Sequence, residues 1–127
     1  MILGLLLSCA YLTHNDVTTG ETPQYPDLAP LYVRVAPPAA FARARVVAET
    51  MPGWSDCFVD NTLELPVLRC EAHSRFFTDD VWIWAESHGR GVTRVMTRSK
   101  SRVGKGDFGA NARRIEAFQG AYQAYTP

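Results

Sequence analysis

The chain is 127 residues long, with 13 basic and 13 acidic residues, 46% hydrophobic residues and a formal net charge of zero. That length suffices for one domain with a core of its own and falls short of two ordinary ones. Balanced charge excludes a strongly electrostatic nucleic-acid binder, whose affinity comes from neutralising phosphates; no nucleic-acid partner is expected, although eight of the basic residues crowd between Arg90 and Arg114 and single out that stretch.

The chain opens on an apolar segment, Met1 to Leu12. Such a run is too short to cross a bilayer, which takes about 20 residues. Three readings fit it: a signal-like segment, in which Leu6-Leu7-Ser8-Cys9 is similar to a bacterial lipoprotein cleavage site; the remnant of a longer anchor helix; or an ordinary hydrophobic N-terminus. The first two imply membrane attachment through the N-terminus and a place in the cell envelope, membrane-anchored or periplasmic. Residues 13–30 contain Thr13, Asn15, Asp16, Thr18, Thr19, Gly20, Pro23, Pro26 and Pro30 and read as an extended linker. Residues 31–127 form a single α+β domain.

Within that domain Leu31 to Val35 is a short β-branched and aromatic strand. Pro37 and Pro38 suit a first helical turn. Phe41, Ala44, Val47, Ala48 and Met51 then recur at helical spacing until Pro52-Gly53 closes the helix. Trp54–Asp60 and Val67–Ser74 read as strands joined by the loop Asn61–Pro66. Asp80–Glu86 and Val92–Ser101 follow, joined by the glycine turn Ser87–Gly91. Asp107 caps a last helix whose apolar face is Phe108, Ala112, Ile115, Phe118, Tyr122 and Tyr125.

The element order is therefore β-α-β-β-β-β-α. Short connections between consecutive strands favour antiparallel pairing, and two helices on one face of such a sheet make a two-layer α+β sandwich. The expected architecture is an antiparallel sheet of about five strands with both helices on one side. This order is that of the TATA-binding-protein-like arrangement and resembles a reduced helix-grip fold.

Three cysteines, Cys9, Cys57 and Cys70, include no C-x-x-C pair, and the histidines are scattered singly. No metal site and no cofactor are implied. Cys57 and Cys70 share the register of a hairpin centred between Leu63 and Glu64. They belong on adjacent strands, either as a disulfide, if their Cα atoms lie within about 7 Å, or as two buried apolar cysteines.

Gly104-Lys105-Gly106-Asp107-Phe108-Gly109 is formally a G-x-G-x-x-G that follows a strand and opens a helix. The 18 residues after Gly109 read as helix to the end, so the βαβ unit and later acid of a dinucleotide fold are missing. Asp79 and Asp80 are strand neighbours and point to opposite faces, which argues against a carboxylate pair acting together. His73 and His88 have no partner legible in sequence, His14 lies in the linker, and no nucleophile elbow occurs. No catalytic residue is identified. Trp82 and Trp84 share one strand face, as a stacking platform or as packing under another element.

The densest pattern runs from Arg98 to Ile115. Arg98, Ser99, Ser101, Arg102, Val103, Gly104, Asp107, Gly109, Asn111, Arg114 and Ile115 stand in the register R-S-x-S-R-V-G-x-x-D-x-G-x-N-x-x-R-I. Phe77-Thr78-Asp79-Asp80-Val81 fits an aromatic-x-D-D-V step, and His14 to Thr19 a linker motif. On these residues the chain resembles the Domain of Unknown Function 1499 family over about residues 14–120. Longer members carry membrane helices before the linker motif and extra sequence after it. No activity is established for that family, so the resemblance implies a fold and an envelope context.

Arg98, Arg102, Lys105, Asp107, Asn111 and Arg114, with Asp79 and Asp80, form the candidate polar site. Two arrangements suit it. The arginines converge on an anion at the helix N-terminus, or they pair with Asp79, Asp80 or Asp107 and serve the fold. A hairpin centred on Gly89 would set Asp80 opposite Arg98. The expected function is a non-catalytic envelope-associated domain that binds a protein partner or a small anionic or apolar ligand. The alternative is a small enzyme acting on an anionic substrate through the Arg/Asp/Asn cluster.

Overall fold

The computed structural model describes residues 15–104 and 109–127. Eight elements follow one another: β1 (Asp16–Thr18), β2 (Leu31–Val33), α1 (Pro37–Thr50), β3 (Trp54–Asp60), β4 (Val67–His73), β5 (Thr78–Gly89), β6 (Val92–Ser101) and α2 (Ala110–Ala124). All pairings are antiparallel, in the order β1-β6-β5-β4-β3, with β2 on the same edge of β6 as β1. The fold is α+β, an open six-stranded sheet with two helices among the described residues. Among the described residues no helix is long and apolar enough to cross a membrane. The readings of Met1–Leu12, Cys9, His14, Lys105, Asp107 and Phe108 lie outside the described residues.

Strand alternation sorts the side chains. Leu68, Cys70, Val81, Ile83, Ala85 and Val95 point inward, where Ala44, Val47 and Ala48 of α1 and Phe118 and Tyr122 of α2 close over them. Their even-numbered neighbours on β5 and β6 face the other way, onto the side of the sheet opposite α1 and α2. Trp54 stacks on Phe118, ring centroids 5.7 Å apart, and so ties the start of β3 to α2.

The β3–β4 hairpin keeps the expected register, Phe58 opposite Arg69 and Val59 opposite Leu68, up to a bulge at Asp56 and Cys57. Cys57 and Cys70 form a disulfide there, with Cα atoms 4.1 Å apart. The β5–β6 hairpin departs from expectation. Its turn is Arg90-Gly91, both at positive φ as a two-residue turn on twisted strands requires. A bulge between Ser87 and Gly89 takes back one residue of the displacement that the turn introduces. Asp80 therefore lies opposite Lys100, and Arg98 opposite Trp82. The shift is two residues, so no side chain changes face.

One other expectation needs correction. Within the stretch taken for a linker, β1 pairs with Arg98–Lys100 and Thr19 N–H donates to Thr97 O at 3.0 Å. Val17 and Leu28 are buried there against Ala112 and Ile115 of α2. Polar and proline-rich composition concealed a three-residue strand whose single inward residue supplies the packing. α2 begins at Ala110, directly after Gly109, which stands at φ 81°.

Candidate functional site

The candidate residues fall on two faces of the sheet. Asp79 and Asp80, neighbours on β5, point to opposite sides, as do Ser99 and Arg98 on β6. Asp79, Ser99, Ser101, Asn111 and Arg114 lie under the N-terminal turns of α2. Asp80, Arg98 and Arg102 lie on the face opposite α1 and α2.

Beneath α2 the polar groups satisfy one another. Ser99 Oγ donates to Asn111 Oδ1 at 2.6 Å, and Asn111 Nδ2 donates to Ser101 Oγ at 2.9 Å and to Asn15 O at 3.2 Å. Arg114 Nη1 donates to Ser99 Oγ at 3.0 Å and to Asn111 Oδ1 at 2.9 Å. Arg114 Nη2 reaches Asp79 Oδ2 at 2.8 Å. Ser99 and Asn111 are fully buried. Such a network joins α2, β5, β6 and the residue before β1, and it is a clasp for the fold: buried polar groups are tolerated when each finds its partners. Among the described residues no histidine stands beside Ser99 to take its proton.

On the open face the arginines are held by carboxylates and rings. Arg98 Nε and Nη2 donate to the two oxygens of Asp16 at 2.9 and 2.7 Å, a forked pair, and its guanidinium lies 4.7 Å from the Trp82 ring centroid. Arg102 forks onto Asp80 at 3.0 and 2.8 Å and reaches Glu71 at 2.7 Å. Arg94 pairs with Glu86. Arg69 lies over Phe58 and Trp82, 5.7 and 5.5 Å from their centroids. The Arg102 hydrogen bond holds the Asp80 carboxyl below the usual carboxylate range, while hydrogen bonding to Asp16 raises Arg98 and bonding to Asp80 and Glu71 raises Arg102. Both arginines thus have carboxylate partners within the domain.

Three shallow concavities adjoin on this face. One, of about 550 Å³, lies between the β3–β4 loop and the sheet, lined by Leu63, Glu64, Leu65, Val67, Trp82, Trp84, Glu86 and Arg98. A second shares Trp84 and Arg98 and adds Asp16, Thr18, Glu21, Thr22 and Pro23. The third lies over the disulfide, between Phe58, Arg69 and Arg102. The tryptophan platform is thus half-buried and covered by neither α1 nor α2. Its even-numbered spacing on one strand was the legible signal. The partnership of Trp84 with the Asn61–Pro66 loop was not, because a loop's path over a sheet leaves no periodic trace.

His73 has partners that the sequence did not disclose. Its Nε2 lies 2.8 Å from Ser55 Oγ and its Nδ1 2.9 Å from Thr78 Oγ1. Both neighbours are hydroxyls, and among the described residues no carboxylate is hydrogen-bonded to the ring as a nucleophile's base requires. Among the described residues, donor atoms of Asp56, Glu71 and His73 come within 4.8 Å of one another and could hold a cation; Glu71 is already bound to Arg102.

The buried clasp and the open-face arginines together account for Arg98, Ser99, Ser101, Arg102, Asn111 and Arg114 of the Arg98–Ile115 pattern. A family model described as Protein of unknown function (DUF1499) matches residues 7–121. The chain belongs to this family. No curated protein and no solved structure matches it. In this DUF1499 domain the signature is therefore split by the sheet, one half clasping α2 and the other bracing the outer face.

Proposed function

We propose that this DUF1499 domain is a non-catalytic binding module of the cell envelope, and that it takes a small apolar ligand in the cleft between the β3–β4 loop and Trp82 and Trp84. The observation that carries this reading is the division of the polar cluster: its arginines are neutralised by Asp16, Asp80, Glu71 and Asp79, while the cleft beside them offers an apolar floor and walls. A volume of about 550 Å³ lies in the range of small-molecule sites. Arg98 and Glu86 at its margin can orient a polar end of the ligand. Of the anionic and apolar ligands considered from sequence, the geometry favours the apolar one. The Cys57–Cys70 disulfide suits an oxidising compartment, and the apolar Met1–Leu12 segment suits attachment to a membrane.

Thermal unfolding in the presence of naphthoate, an apolar ring with one carboxylate, tests this. The chain should be stabilised in a concentration-dependent way, and Trp84→Ala should abolish the effect. Hydrolysis of 4-nitrophenyl phosphate or sulfate that disappears with Arg102→Ala would instead establish the enzyme reading.

A further inference from the structure

The two ends of the sheet differ in what they expose. At one end β5 turns into β6 through Arg90-Gly91. At the other, β4 turns into β5 through Ser74-Arg75-Phe76-Phe77, and β6 runs out through Arg102, Val103 and Gly104. Phe76 is 76% exposed, Phe77 55% and Val103 67%. β5 pairs with β6 as far as Asp79 opposite Ser101, so Phe77 and Val103 leave the sheet at the same end. Arg75 lies over the Phe76 ring at 5.2 Å. Among the described residues neither Arg75 nor Lys100 takes part in an ion pair.

The chain also enters the sheet here. Asp16 lies opposite Lys100, Ser101 N–H donates to Asn15 O at 2.8 Å, and Asn15 Nδ2 donates to Gly104 O at 2.6 Å. Two residues, Thr13 and His14, separate Asn15 from the apolar run Met1–Leu12. Asn15, the first described residue after that run, therefore lies at the end that carries the exposed phenylalanines.

We infer that this end of the sheet rests on an anionic lipid surface, with Phe76, Phe77 and Val103 entering the interface and Arg75 and Lys100 against the phosphates. The inference rests on the envelope reading and adds the contact and the orientation. Aromatic rings at a membrane interface shed water that they order when exposed. Basic residues beside them gain from the negative surface of the leaflet. An apolar anchor combined with a basic-aromatic patch holds where one signal alone gives marginal attachment. The tip of a hairpin suits this partner better than a protein, since a stable protein interface needs about 800 Å² from each side. In this orientation the Arg90-Gly91 turn points away from the membrane and the tryptophan cleft stays open.

Hydrogen–deuterium exchange of the full chain, with and without mixed phosphatidylcholine–phosphatidylglycerol vesicles, tests the inference. Exchange at Arg75, Phe76 and Phe77 should slow by about fivefold or more on vesicles, and that at Arg90 and Gly91 should not change. The double variant Phe76→Ser, Phe77→Ser alters exposed side chains only, so it should keep the native circular dichroism and lose the slowing. A vesicle-bound chain with unchanged exchange at 75–77 would overturn the tip contact and leave membrane attachment standing. A chain that stays in the supernatant would overturn both. Slowing that needs no vesicles and rises with protein concentration would assign the tip to a second copy and overturn the lipid inference.

Discussion

Arg114 on α2 and Asp79 on β5 meet at 2.8 Å beneath the helix, with side chains only 13% and 7% exposed. Burying both charges is tolerable because each finds the other and Arg114 also bonds Ser99 and Asn111. Removing one member leaves the other uncompensated, which costs about 3–5 kcal/mol. Asp79→Ala should therefore lower the urea midpoint by that equivalent without changing the ligand-induced stabilisation of the folded fraction. A loss under about 1 kcal/mol would mean that water reaches Arg114 and that the pair is an ordinary surface bridge.

Closing a loop of 13 residues, the Cys57–Cys70 bond should contribute about 3 kcal/mol by restricting the unfolded chain. Denaturant unfolding with and without a thiol reductant measures this directly. Mass spectrometry of the unreduced digest should recover the two cysteine peptides as one. Coincident unfolding curves would show that the bond does not form in the purified chain.

Gly53 turns the chain from α1 into β3 at φ +78°, and a Cβ there would lie 2.8 Å from the His73 carbonyl oxygen. The same backbone receives the His73 N–H at 2.7 Å, so the approach is fixed by the sheet. Gly53→Ala should cost about 1–3 kcal/mol, the scale of a non-glycine residue held left-handed. A melting temperature equal to the parent's would show that the β3 start can move away.

Legibility followed the strength of the local pattern. Four long strands and two helices stood out because their alternation or helical period runs for seven residues or more. The Cys57–Cys70 register followed from a symmetric hairpin. β1 is three residues long and holds one inward residue, Val17, too little to show a period among threonines and prolines. The β5–β6 register was missed by two residues because the turn and the bulge both depend on positive φ values, one of them at Arg90, where no glycine announces it. Since an even shift preserves the faces, the pairing of Arg102 with Asp80 was still within reach. Arg98 found Asp16 instead, a partner hidden in the apparent linker.

The Asp80 carboxyl titrates below the usual range because Arg102 donates two hydrogen bonds to it. Its folded-state pKa lies under the unfolded value near about 3.9, so its contribution to stability is complete above that value and is lost as pH falls through the lower, folded one. Carboxyl-carbon NMR should place Asp80 below the model carboxylate, and Arg102→Ala should return it upward. An Asp80 that titrates normally in the parent chain would contradict the forked pair.

The three tryptophans offer the sharpest test of where the ligand binds. Trp54 stacks on Phe118 beneath the helices, whereas Trp82 and Trp84 floor the open cleft. Indole N–H resonances in proton–nitrogen spectra report each ring separately during titrations with naphthoate and with inorganic phosphate. The account predicts that naphthoate shifts Trp82 and Trp84, leaves Trp54 in place, and that phosphate moves none of them. Phosphate shifts centred on the Asn111 side-chain amide and the Arg114 guanidinium, with the Trp82 and Trp84 signals unmoved by naphthoate, would contradict it.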